Sequence, residues 1–137
     1  MNKLRVLIAD DNEDARRLIF RLLSSKFEIV GSVANGRQLV DAATALHPDV
    51  IVSDICMPIV TGPEAMRELK TTGLDIPFVL ISVNLVEAEE LVQEGATAFV
   101  DKKVDMGYEL ASAVRAASSG QSYFSRSVCS SVCSAVQ

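Results

Sequence analysis

Five short apolar runs alternate along this chain with segments whose apolar residues recur at helical spacing, and few architectures accept that pattern. The runs cover residues 4–9, 27–33, 50–53, 76–81 and 96–100. The first is continuous rather than alternating, as expected when helices cover both faces of a sheet. Between the first two runs, Ala15, Leu18, Ile19, Leu22 and Leu23 make one apolar helical face. Leu39, Ala42, Ala43 and Leu46 make the next, and Ala65, Met66 and Leu69 a third. A fourth helix is expected over about 85–94, and a fifth carries Leu110, Val114 and Ala117. Strand and helix in strict alternation imply parallel strands joined by right-handed crossovers, hence a doubly wound α/β sheet.

Local signals fix several boundaries. Asn12 is an N-cap with Glu13 and Asp14 in the first turn, favourable to the helix dipole. Thr61 and Glu64 form a capping box, with Pro63 tolerated in the first turn. His47-Pro48, Gly95 and Gly120 close helices. Asp105 is expected to cap the fifth. After Gly120 the composition turns serine-rich while Tyr123, Phe124, Val128, Val132 and Val136 keep an apolar spacing of four, so 121–137 is expected to be a sixth helix or a linker.

The chain has 137 residues, enough for one domain with a proper core. Its net charge is -5, which disfavours direct nucleic-acid binding and suits cations and basic partner surfaces. No apolar run is long enough to span a membrane, and Met1-Asn2-Lys3 leads straight into a strand, so a cytoplasmic protein is expected. The three cysteines, Cys56, Cys129 and Cys133, are read as reduced thiols. The lone His47 has no ligand or nucleophile set beside it and is read as structural.

The chemistry collects where the strands end. In a parallel sheet all carboxyl ends lie on one edge. There the sequence puts Asp10-Asp11, Asp54, Ser82 and Lys102. Singly, each has a bland explanation: a cap, a turn residue, a solvated charge. Jointly they do not. Clustered carboxylates repel and call for a hard divalent cation with oxygen ligands, Mg²⁺ above all. The lysine and the hydroxyl offer a charge and a hydrogen bond to an anion. A phosphoryl group on one carboxylate would use every element.

These residues resemble the response-regulator receiver domain of two-component signalling. Val6-Leu7-Ile8-Ala9-Asp10-Asp11-Asn12 is similar to that family's first strand and acidic pair. Pro48-Asp49-Val50-Ile51-Val52-Ser53-Asp54-Ile55-Cys56-Met57-Pro58 with Gly62 resembles its phosphoacceptor segment. The runs ending at Ser82 and Lys102 resemble its fourth and fifth strands. Ala116 to Ser125 resembles the segment after the receiver in the NarL/LuxR-type branch, whose members usually add a helix-turn-helix DNA-binding domain.

The resemblance implies a flavodoxin-like (βα)5 fold with five strands in the order 2-1-3-4-5, a receiver over 1–120, and a tail over 121–137 leading towards an absent DNA-binding domain. It implies that Asp54 accepts a phosphoryl group from a sensor histidine kinase. Asp10, Asp11, Asp54 and the Cys56 backbone carbonyl would hold Mg²⁺. Lys102 and Ser82 would contact the phosphoryl group, and Phe99 would turn into the space that Ser82 vacates. Cys56 and Asn84 would flank the water's path to the acyl phosphate and tune its lifetime. A phosphorylation-dependent homodimer is implied, and no enzyme activity beyond the domain's own phosphoryl transfer and hydrolysis. Three positions depart from the pattern: Val83 replaces the usual alanine, Lys103 the usual proline with its cis peptide, and the stretch from Ser82 to Gly95 is short.

Two other classes fit less well. A haloacid-dehalogenase-type phosphatase needs a second aspartate two residues after the nucleophile, and neither Asp10-Asp11-Asn12 nor Asp54-Ile55-Cys56 supplies it. A nucleotide-binding module wants a glycine-rich first loop, where this chain is acidic. Within the receiver reading, the alternative is a stand-alone receiver acting through protein contacts.

Overall fold

The structure, a computed structural model, describes residues 3–82, 91, 98–102 and 106–124. In chain order they form β1 (Arg5–Ala9), α1 (Glu13–Leu23), β2 (Glu28–Val33), α2 (Gly36–Leu46), β3 (Val50–Asp54) and α3 (Gly62–Thr71). Then come β4 (Phe78–Ser82), β5 (Ala98–Asp101), α4 (Met106–Ser118) and β6 (Tyr123–Phe124). The sheet is parallel throughout, in the order β2-β1-β3-β4-β5-β6.

The period of two along each strand splits the core into two layers. Leu7, Ile51, Leu80 and Phe99 face the layer that holds Leu39 of α2 and Leu69 of α3. Val6, Val52, Val79 and Val100 face the layer that holds Ile19 of α1 and Val114 of α4. That is why Val6 to Ala9, Val50 to Val52 and Phe78 to Ile81 are apolar at every position rather than at alternate ones.

The expected caps form. Asn12 Oδ1 accepts from the Ala15 N–H at 3.0 Å, and Thr61 and Glu64 bond reciprocally as a capping box. His47 closes α2 in the left-handed conformation, at φ 48°, with its N–H on the Ala43 carbonyl.

Several expectations need correction. The five expected strands stand in the expected order 2-1-3-4-5, but among the described residues a sixth follows: Tyr123 and Phe124, read as part of a helix or linker, pair in parallel with Ala98 and Phe99 on β5. A two-residue strand is set by what lies beside it and leaves no periodic signal. Leu18 was placed on the buried face of α1 but is 44% exposed, because the core-facing stripe narrows to Ile19 and Leu23. Asp54 and Ser82 lie inside their strands rather than just past them. The expected helix over 85–94 (Leu91, helical and buried, apart), the Asp105 cap, Val83, the Lys102-Lys103 peptide and the tail with Cys129 and Cys133 lie outside the described residues. Among the described residues no helix is long and apolar enough to cross a membrane.

Gly62 sets how closely α3 approaches β3. A Cβ built there would stand 2.3 Å from the Asp54 carbonyl oxygen and 2.9 Å from Ser53 Oγ. The Gly62 N–H donates to the Ile55 carbonyl at 3.1 Å, so backbone meets backbone beside the acid. Gly62→Ala is expected to lower stability by about 1–3 kcal/mol, as overpacking does. Urea unfolding checks this, and an unchanged midpoint would contradict the close approach.

Candidate functional site

Asp10 follows β1, Asp54 ends β3 and Lys102 follows β5. Each lies an even number of residues from a strand position that faces the α1–α4 layer (Ile8, Val52 and Val100), so the three share one side of the sheet's carboxyl edge. Ser82 follows Leu80 by two on the opposite register, as Asp101 follows Phe99, and Ser82 pairs with Asp101. The period of two thus separates an acid–lysine group from a serine–phenylalanine group one layer over.

The acids and the lysine meet directly. Lys102 Nζ stands 2.8 Å from Asp10 Oδ2 and donates to Asp54 Oδ2 at 3.1 Å. Asp10 is fully buried, and Asp54 nearly so. Asp10 is held by its neighbours: its Oδ1 accepts from the Asn12 N–H at 2.9 Å, and its carbonyl accepts from Arg16 Nη1 at 2.6 Å. On Asp54, Oδ1 accepts from the Cys56 N–H at 3.3 Å. Ser53 Oγ donates to the Asp54 carbonyl at 2.9 Å. The Lys102 N–H donates to the Ser82 carbonyl at 2.9 Å, tying the end of β5 to the end of β4.

The loop after the acid is tightly wound. The Val60 N–H donates to the Pro58 carbonyl at 2.8 Å across Ile59, which sits at φ 71° and is 78% exposed. A β-branched residue in that region is strained. The loop is anchored by the Gly36 N–H on the Val60 carbonyl, at 2.9 Å.

Carboxylate oxygens of Asp10, Asp11 and Asp54 can all lie within 4.8 Å of one another, with Asp11 exposed at the mouth. Asp10 Oδ2 is buried, with the Lys102 ammonium 2.8 Å away. An all-oxygen donor set of three clustered carboxylates, open on the side of Asp11, fits a hard divalent ion that keeps some of its water, as Mg²⁺ does. The site therefore accommodates the ion that the sequence implies.

The structure thus brings together Asp10, Asp11, Asp54 and Lys102. Ser82 is buried at the end of β4. Phe99 is only 1% exposed, and its ring stacks on Phe124 with centroids 5.9 Å apart. Cys56 is exposed beside Asp54, and Asn84 lies outside the described residues. Sequence reading missed Arg16 and Phe124. Arg16 reads only as a helix charge six residues from Asp10, and Phe124 meets Phe99 only once the sheet is built.

Burial raises the pKa of Asp54, the charge of Asp10 raises it further, and Lys102 offsets part of the rise. Burial works against the charge on Lys102, but Asp10 and Asp54 outweigh it and hold its pKa above the ordinary value. A carboxyl whose folded pKa is raised favours the fold while protonated. That contribution is full below the ordinary 3.8 and is lost as pH rises through the raised value. At neutral pH and without metal, Asp54→Asn is therefore expected to raise the melting temperature, with the gain shrinking as pH falls towards about 4. Mg²⁺ is expected to stabilise the wild type more than the variant. Calorimetry across pH, with and without Mg²⁺, checks both, and a variant less stable than wild type at neutral pH would contradict the first.

The chain matches the response regulator receiver domain family over residues 6–115. It is 37% identical over 84 residues to a protein-glutamate methylesterase/protein-glutamine glutaminase of Clostridium acetobutylicum, covering 60% of this chain and 24% of that protein. It is 32% identical over 126 residues to response regulator GacA of Pseudomonas viridiflava, covering 89% of this chain and 58% of that protein. The signal receiver domain of the putative response regulator NarL from Mycobacterium tuberculosis superposes with a TM-score of 0.81 at 26% identity, over 88% of this chain and all of that domain. The chain thus spans about a quarter and somewhat over half of those two curated relatives. With the acidic cluster and its lysine at the carboxyl edge of a β2-β1-β3-β4-β5 parallel core, the chain belongs to the response regulator receiver domain family.

Proposed function

We propose that this receiver is a phosphorylation-activated signalling switch whose Asp54 takes a phosphoryl group from a phosphohistidine on a sensor histidine kinase. The observation that carries the reading is the Lys102 ammonium, 2.8 Å from Asp10 and 3.1 Å from Asp54 beside an all-oxygen acidic cluster. Asp10, Asp11, Asp54 and the Cys56 backbone carbonyl would hold Mg²⁺. When bound, the ion supplies charge neutralisation at the phosphoryl oxygens.

The chain's own groups do the rest. Burial makes the Asp54 carboxylate more basic, and so a better nucleophile. One of its oxygens attacks phosphorus, the phosphorus–nitrogen bond to the donor imidazole breaks, and the imidazole leaves with that electron pair. The product is an acyl phosphate. Lys102, released from Asp54 as that charge moves outward, contacts the new phosphoryl oxygens. Ser82 moves to hydrogen-bond the phosphoryl group, and Phe99 follows into the space it leaves, giving a two-state element biased by a covalent charge.

Residues 1–120 would be the receiver and 121–137 the segment that leads on to an output domain. The longer relatives GacA and the transcriptional regulatory protein DegU of Brevibacillus brevis support a role in transcription regulation. In this reading the chain works in the cytoplasm and catalyses only its own phosphoryl transfer and hydrolysis. It contacts the kinase and, when phosphorylated, a second copy of itself, and leaves DNA contact to another domain.

Incubation with acetyl phosphate and Mg²⁺ is expected to add one phosphoryl group by intact mass, and Asp54→Asn is expected to add none. Persistent labelling of the variant would overturn the reading. Cys56, exposed and weakly polar, positions water poorly, so a slowly hydrolysing phosphoryl group is expected. Cys56→Asn should speed its loss in a decay assay; equal or slower loss would count against this role.

A further inference from the structure

We infer that Phe124 is a positioning residue for the Asp54 switch: it holds the Phe99 ring inside the sheet and so couples the segment after α4 to the state of the acid. The inference rests on the proposed reading in which Phe99 turns inward when Asp54 is phosphorylated.

The geometry begins on β5. Phe99 lies three residues before Lys102 on that strand, and the Lys102 N–H is tied to the Ser82 carbonyl at 2.9 Å. On one side Phe99 is in register with Leu80 of β4, which is fully buried. On the other side it is in register with Phe124 of β6. The two rings stack with centroids 5.9 Å apart and planes 11° from parallel.

β6 is pinned from its other face as well. Tyr123, whose ring packs with the α1–α4 layer, donates its hydroxyl to Glu109 Oε1 of α4 at 2.7 Å. Gly120, at φ 76°, turns the chain back from α4, and the Gln121 N–H donates to the Ala116 carbonyl at 2.9 Å. The strand is therefore held by α4 through one residue and by the switch phenylalanine through the next.

This arrangement makes two states exclusive. Leu80 and the sheet interior block one side of Phe99. Phe124 stands at the outer edge of β5, across the path of a ring that leaves the core on that side. With β6 docked, Phe99 stays in; with Phe99 out, Phe124 loses its platform. Coupling of this kind is reciprocal. Whatever favours the inward ring at Asp54 also favours docking of β6, and docking of β6 favours the phosphorylated form. The two-residue strand, followed directly by residues 125–137, then carries the state of the site into the segment beyond the domain.

The test uses the full chain with Mg²⁺ and beryllofluoride, which mimics a phosphoryl group on a carboxylate. Phe124→Ala is expected to weaken beryllofluoride binding about threefold to tenfold, the range that one aromatic pair spans. Phe124→Tyr, which keeps the ring, is expected to bind as the wild type does. In a Phe99→Ala background the Phe124→Ala change is expected to be silent, a readout that mere loss of stability would not give. Hydrogen exchange on the wild type needs no variant: beryllofluoride is expected to raise protection of the amides of residues 123 and 124. Binding by the wild type with no loss in Phe124→Ala, or with no change in those amides, overturns the inference and leaves the reading of Asp54 standing. No binding by the wild type overturns both.

Discussion

Two carboxylates on neighbouring strands, both largely buried, repel each other, and the Lys102 ammonium is what lets Asp10 and Asp54 stand side by side. At an effective dielectric near 20, an ion contact of about 3 Å gains roughly 5 kcal/mol before desolvation is counted, and burial offsets much of that. The result is a site in balance rather than a stable salt bridge. The net rise in the pKa of Asp54 expresses the balance: burial and Asp10 prevail over Lys102. A lysine that only half satisfies two acids can give up one of them when charge moves outward on a phosphoryl group.

The sheet makes this contact possible and also connects it to the rest of the domain. β1, β3 and β5 bring Asp10, Asp54 and Lys102 to one edge, and the period of two puts them on one side of it. The same period puts Phe99 on the other side of β5, inside the layer with α2 and α3. One four-residue strand therefore leads to the countercharge at its end and carries the ring that reports on it. Gly62 keeps α3 against the backbone of Asp54, and the strained Ile59 turn starts the return to that helix. The backbone of the acid is thus fixed by β3 and by the approach of α3, while its oxygens accept from the Cys56 N–H and the Lys102 ammonium.

Most of the architecture was legible in the sequence because its signals are local. Continuous apolar runs reported strands covered on both faces, and Asn12, Thr61-Glu64 and Gly120 marked helix ends through backbone chemistry that needs no distant partner. The acidic cluster was legible for a related reason: parallel topology alone brings strand ends together. What was not legible depends on contacts between distant segments. Leu18 follows the helical period yet stays exposed, because among the described residues the core-facing stripe of α1 narrows to Ile19 and Leu23. Arg16 reaches the Asp10 carbonyl through helix geometry that the sequence does not weight. Tyr123 and Phe124 become a strand because β5 offers an edge and Phe99 a ring, so this sixth strand stands beyond the five that the sequence pattern marks.

The central claim is that Asp54, and neither member of the adjoining pair, is the nucleophile. Reduction of the phosphorylated protein with borohydride converts an aspartyl phosphate to homoserine, and peptide mass mapping locates it. The account predicts homoserine at position 54 alone. Homoserine at position 10 or 11, or its absence from a protein that still carries phosphate, would contradict it.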